Sequence, residues 1–158
     1  MPAVQLDLLL TSPEDTCALA QKLGPLLGAG DVLLLEGDIG AGKTHFARSV
    51  IQSLLREPED VPSPTFTLVQ IYDAAPFEIW HADLYRLTSP DEVVELGLVD
   101  AFEDSLCLVE WPDRLAELAP ATALTLSFKM GEEAGVRHLS LSASDPRWAD
   151  VVRHLFDG

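Results

Sequence analysis

Residues 37–44 read Gly-Asp-Ile-Gly-Ala-Gly-Lys-Thr, which fits the pattern G-x-x-x-x-G-K-[ST] at every fixed position. Glycine weakens both cores and helices, so a cluster of Gly37, Gly40 and Gly42 just before a lysine needs a chemical reason. Without Cβ atoms the backbone can curl tightly and aim successive N–H groups inward at an anion. A helix that starts at the end of such a turn adds the positive end of its dipole. In that setting Lys43 would reach the β- and γ-phosphates of a nucleotide, and the Thr44 hydroxyl would face Mg²⁺. The turn is expected to bind a nucleotide.

A loop of this kind also needs an acid at the end of a neighbouring strand to position the cation and its waters. Two strand ends offer one. "LCLVE" is an apolar run closing on Glu110, and "EIWHAD" closes on Asp83. Glu110 is the favoured metal-linked acid, with Asp83 left to orient water or support it. Ser63 and Thr65, in "SPTF", follow the second helix at the distance where a switch-like loop senses a γ-phosphate. Lys43, Asp83 and Glu110 form the expected catalytic set.

The elements that must hold these groups can be read from the apolar spacing. "VQLDLLL" predicts a strand, and "SPEDTCALAQKLGPLLGAG" a helix capped by Ser12, opened by Pro13 and terminated by Gly28 or Gly30. Residues 31–36 predict a buried strand that enters the glycine turn, and residues 44–55 an amphipathic helix that leaves it. "REPEDVPSPT" is proline-rich and aperiodic, which predicts a loop. "FTLVQIYD" and "PFEIWHAD" predict a hairpin turning at residues 74–76. A helix should start at Ser89 and break near Gly97, and "SLCLVEW" should form a buried strand. "ATALTLSFKM" and "GVRHLSLSA" alternate in period two and predict a hairpin through residues 131–135. The tail predicts a helix with Trp148, Val151, Val152 and Leu155 inward. Early strand–helix alternation with later antiparallel pairs predicts a P-loop NTPase-like, three-layer α/β fold: a mixed sheet in a single domain spanning 1–158.

Bulk properties narrow the class. With 158 residues, 47% of them hydrophobic and 23% charged, the chain can bury a full core. Lacking a long uninterrupted apolar run and a basic leader, it predicts a cytoplasmic protein with no membrane association. Cys17 and Cys107 are the only cysteines and read as buried, unpaired thiols. Twenty-six acidic against ten basic residues give a net charge of −16. Such a surface repels phosphate backbones, and no Lys/Arg cluster offsets it, which argues against autonomous nucleic-acid binding. A basic protein partner is the natural counterpart.

Taken in order, "GDIGAGKT" (37–44), "SPTFTLV" (63–69), "HADLYRL" (81–87), "ELGLVDAF" (95–102) and "VEWPDRL" (109–115) resemble the bacterial TsaE (YjeE) family of small P-loop ATPases over nearly the whole chain. The resemblance implies ATP and Mg²⁺ as ligands and a role in making threonylcarbamoyladenosine (t6A) in tRNA. It also implies work alongside a TsaD–TsaB complex that carries the transferase site, with tRNA met mainly through those partners. By matching position, Gly40, Ala41, Gly42, Lys43 and Thr44 would bind phosphates, Thr44 and Glu110 would hold Mg²⁺, and Asp83 would join the catalytic centre. Ser63 and Thr65 would lie in the switch-like loop. Tyr85, Arg86 and Trp111 would serve hydrolysis or partner contact, and residues 12–16 with Arg137 would approach the adenine. His45 departs from the family's usual second threonine; its backbone N–H remains available to a phosphate, but a hydroxyl contact there is lost. Two other readings stand beside this one. ATP could act chiefly as an assembly signal, with little intrinsic hydrolysis. A small-molecule kinase would need a cationic lid, and none of the arginines forms a lid-like pair.

Overall fold

Four apolar residues in a row, Leu106, Cys107, Leu108 and Val109, are fully buried, as is Ile79, the register partner of Leu106. A strand apolar on both faces must be covered on both faces, and this sets the architecture. The computed structural model describes residues 3–38, 42–55, 61 and 68–157. Among these described residues, seven strands form one mixed sheet: β1 (Val4–Leu10), β2 (Val32–Gly37), β3 (Val69–Asp73), β4 (Glu78–Asp83), β5 (Leu106–Glu110), β6 (Leu124–Met130) and β7 (Arg137–Ala143). Their spatial order is β1-β7-β6-β2-β5-β4-β3. The inner pairs β6–β2, β2–β5 and β5–β4 run parallel, whereas β1–β7, β7–β6 and β4–β3 are antiparallel.

Alternation along the central strands separates two cores. Leu33, Leu35, Leu106 and Leu108 face helices α1 (Pro13–Leu23), α2 (Lys43–Leu54) and α5 (Arg147–Asp157). Val32, Leu34, Cys107 and Val109 face α3 (Pro90–Glu95), α4 (Leu98–Asp104) and a 3₁₀ segment, Pro112–Leu118. This is the three-layer, single-domain arrangement that the apolar patterning implies.

The parallel register gathers the residues of interest. Because β2, β4 and β5 run the same way, their C-terminal ends, Gly37, Asp83 and Glu110, reach one edge of the sheet, and Asp83 sits opposite Glu110. Ligands in open α/β sheets bind at that edge. Ser12 caps α1 by accepting the Asp15 N–H at 3.2 Å, and Gly97, at φ 82°, separates α3 from α4 at the expected break.

Several boundaries differ from those expected; β6, for one, starts at Leu124 rather than Ala121. Helix α1 ends at Leu23 and passes into a 3₁₀ turn, Gly24–Leu26, well before Gly28 or Gly30. Pro25 is the reason: it has no N–H to continue the helical hydrogen-bond ladder, and its ring crowds the preceding turn. Strand β5 stops at Glu110 because Trp111 turns into the left-handed region at φ 59°. Helix α2 begins one residue early, at Lys43. In the tail, Trp148, Val151 and Leu155 are buried while Val152 is only partly so. Both cysteines are free; Cys107 is buried, but Cys17 is only half-buried.

Candidate nucleotide site

The site begins with two glycines whose backbones suit no other residue. Gly37 has φ 139°, and a Cβ there would collide with the Phe128 carbonyl of the adjoining strand. Gly42 has φ 109° and serves as N-cap of α2 without any side chain to satisfy the helix's first N–H groups. Those donors therefore open toward the cavity above the sheet edge, as anion sites at helix N-termini do.

Lys43, on the first turn of α2, is 4% exposed. Its ammonium donates to the Gly37 carbonyl and, at 3.5 Å, to that of Asp38, and it lies 3.6 Å from the centroid of the Trp111 ring. Burial holds its pKa below the usual 10.5, while the carboxylates of Glu110, Asp83, Asp38 and Asp113 pull the other way. An ammonium stripped of water and resting on an aromatic face is held ready for a strong counter-charge. The left-handed Trp111 backbone carries that ring to the lysine, and Tyr85 packs against it at 4.8 Å between ring centroids.

Thr44 donates its hydroxyl proton to Glu110 Oε1 at 2.7 Å, across 66 residues of sequence. Once that proton is committed, the hydroxyl's lone pairs are free for a cation. Glu110 is 2% exposed, and its other oxygen, Oε2, lies 2.7 Å from His81 Nε2. Asp83 is also buried, and its Oδ1 accepts the Tyr85 N–H at 3.1 Å. Among the described residues no group of three His, Cys, Asp or Glu is gathered to hold a metal without help. A cation here would need oxygens from a ligand.

Lys43, Thr44, Asp83 and Glu110 line a single cavity of about 550 Å³, together with Gly42, His45, Tyr85 and Trp111. That volume falls within the roughly 300–1,000 Å³ of small-molecule sites. Pro13, Thr16, Gly135 and Arg137 complete its lining, so the start of α1 and the β6–β7 connection border the same space as Gly42 and Lys43. The His45 ring nitrogen Nε2 lies 3.1 Å from the Pro13 carbonyl, so this side chain ties α2 to the start of α1. Gly40, Ala41, Ser63 and Thr65 lie outside the described residues. His81, which opens the quoted stretch "HADLYRL" but receives no role from the sequence, is the added member. The hint lay in "EIWHAD": a histidine two residues before Asp83 must share its face of the strand.

The fold and this sheet-edge cavity define a P-loop NTPase-like α/β protein. The crystal structure of Bacillus subtilis YdiB superposes with a TM-score of 0.79 at 30% sequence identity, covering 98% of this chain and 95% of that one. The family model described as "Threonylcarbamoyl adenosine biosynthesis protein TsaE" matches residues 10–139, and the chain belongs to the TsaE family. Relatives bearing the name tRNA threonylcarbamoyladenosine biosynthesis protein TsaE include one from Bacillus subtilis, 38% identical over 91% of this chain and 89% of its own length. Another, from Rickettsia felis, is 40% identical over 80% of this chain and 74% of its own. A third, from Nostoc, is 35% identical over 90% and 89% respectively.

Proposed function

We propose that this chain is a cytoplasmic, Mg²⁺-dependent ATPase subunit that supports t6A modification of tRNA, acting with a TsaD–TsaB complex and resetting it between turnovers. Family membership supports the pathway. The observation that carries the chemistry is the 2.7 Å hydrogen bond from Thr44 to Glu110 beside a buried Lys43. Hard oxygen donors, too few for a complete cage, suit Mg²⁺, which keeps waters and shares phosphate oxygens. Gly37 and Gly42 both hold a positive φ, a backbone conformation that L side chains rarely adopt, at the two ends of the glycine motif.

In this reading the α2 N-terminus and Lys43 bind the β- and γ-phosphates, and Thr44 turns its lone pairs to the cation. Glu110 orients Thr44, and Asp83 orients water. Bound Mg²⁺ supplies charge neutralisation at the phosphates. Both Glu110 oxygens already accept a hydrogen bond, from Thr44 and from His81, and no glutamine follows Glu110 in the sequence to orient water. Weak hydrolysis is expected of the isolated chain, rising when the partners bind. A chain with net charge −16 leaves the grip on tRNA to its partners.

Steady-state ATPase assays with and without TsaD–TsaB test this directly. The expected result is weak turnover alone and a marked rise on adding the pair. Fast turnover that ignores the partners contradicts partner control. Tight nucleotide-dependent assembly with no hydrolysis at all would favour an assembly signal instead.

A further inference from the structure

His81 has no exposed surface, yet it is the only imidazole among the described residues within reach of the Glu110 carboxylate. It lies on β4 two residues before Asp83, on the face shared with Ile79, and its register partner on β5 is Leu108. Its reach to Glu110 is thus a diagonal one along the parallel pair, the kind a long ring can span. Nε2 sits 2.7 Å from Oε2, and a carboxylate oxygen only accepts, so Nε2 carries the proton. Nδ1 is buried and has no hydrogen-bond partner among the described residues. The ring therefore makes one polar contact there, and that contact is with Glu110.

We infer that His81 is a positioning residue that pins Glu110 Oε2, so that Oε1 stays aimed at the Thr44 hydroxyl and Thr44 keeps its lone pairs turned to the cation. This role rests on the proposed nucleotide and Mg²⁺ site and adds a residue to it. With Oε1 accepting from Thr44 and Oε2 from His81, the plane of the Glu110 carboxylate is fixed, and its remaining lone pairs keep one direction relative to the cation held with Thr44. Partners of this type set a ligand's orientation, and losing them typically lowers metal affinity by about 10–100-fold. A histidine that merely filled the layer between Ile79 and Leu108 would be replaceable by an apolar side chain of similar size.

Two substitutions separate these roles. His81→Leu keeps apolar volume and removes the donor; His81→Gln keeps an N–H donor near the Nε2 position. The measurement is calorimetric titration of Mg²⁺ into each protein held with a non-hydrolysable ATP analogue, with analogue binding in EDTA and thermal melting recorded alongside. For His81→Leu the Mg²⁺ half-saturation should rise by about tenfold or more, whereas His81→Gln should stay within about threefold of wild type. Analogue binding in EDTA should be the same in all three. In His81→Leu/Glu110→Ala the loss should match that of Glu110→Ala by itself, because His81 acts through that carboxylate. A folded His81→Leu with wild-type Mg²⁺ affinity overturns the role, as does a His81→Gln variant that falls as far as His81→Leu. If His81→Leu does not fold, His81→Gln decides alone: retained affinity supports the role, and a tenfold loss overturns it. Wild-type protein that binds the analogue with no dependence on Mg²⁺ overturns the proposed Mg²⁺ site as well.

Discussion

Lys43 carries a desolvated charge that lines the cavity and rests on the Trp111 ring, so its removal should affect the ligand more than the fold. Lys43→Ala should melt cooperatively near the wild-type temperature and lose most of its ATP affinity, as measured by calorimetry. Glu110→Ala removes the acceptor that orients Thr44. It should bind ATP with near wild-type affinity and lose hydrolysis in the partner-activated assay; normal hydrolysis would move the metal-linked role to Asp83. Cys107 offers a test that does not involve the site. Burial pushes its thiol up from 9.0 to about 12, with Asp104 adding to the effect. The unfolded thiol ionises near pH 9 and the folded one does not, so the unfolded state binds fewer protons in between. Stability should then fall as pH rises from 9 toward 12, by up to about 1.4 kcal/mol per pH unit from this group. In the native protein an alkylating reagent at pH 8 should modify Cys17 and spare Cys107, and denaturant should expose both to mass-spectrometric detection.

Among the elements, α5 depends on an ion pair that joins distant parts of the chain. Arg147 Nε donates to Asp31 Oδ1 at 2.8 Å, its Nη2 donates to Oδ2 at 2.5 Å and to the Leu26 carbonyl at 3.1 Å, and the Asp31 side chain is 9% exposed. Arg147→Ala strands a buried carboxylate, though the half-exposed guanidinium limits the cost. About 1–2 kcal/mol is expected, read as a melting temperature lower by about 3–6 °C. Much at this scale was legible in the chain, and for a reason. The glycine turn has to join a strand to a helix, and apolar runs such as "LCLVE" admit only a strand covered on both sides. What resisted reading depended on partners far away in sequence. Nothing local in Arg147 announces Asp31, and nothing in His81 announces Glu110. Gly24 ends α1 only because Pro25 comes next, a stop masked by two later glycines with a stronger claim. The left-handed turn at Trp111 is likewise set by the ring's place over Lys43 rather than by local preference. At the site, Lys43, Thr44, Asp83 and Glu110 could be named from motif and strand ends, since each sits where a strand or helix terminates. Gly40 and Ala41 follow from the glycine motif, and Ser63 and Thr65 from the position of "SPTF" after the second helix; all four lie outside the described residues.

For the whole molecule, the net charge of −16 shapes encounters more than folding. If the TsaD–TsaB pair presents a basic docking face, the two charge patterns attract over about 10 Å at 0.1 M salt and only about 3 Å at 1 M. Association measured by surface plasmon resonance should weaken steeply across that range, chiefly through a slower on-rate. An association indifferent to salt would point to an apolar interface. No helix among the described residues is long and apolar enough to cross a membrane. The parallel centre of the sheet brings the ends of β2, β4 and β5 to one edge, and the proposed function concentrates there. A crystal structure of the chain with a non-hydrolysable ATP analogue and Mg²⁺ tests that assignment most directly. The β- and γ-phosphates should lie against Lys43 and the α2 N-terminus, with the cation at the Thr44 hydroxyl and Glu110 behind it. A triphosphate seated elsewhere, or a cation that avoids Thr44, would contradict it.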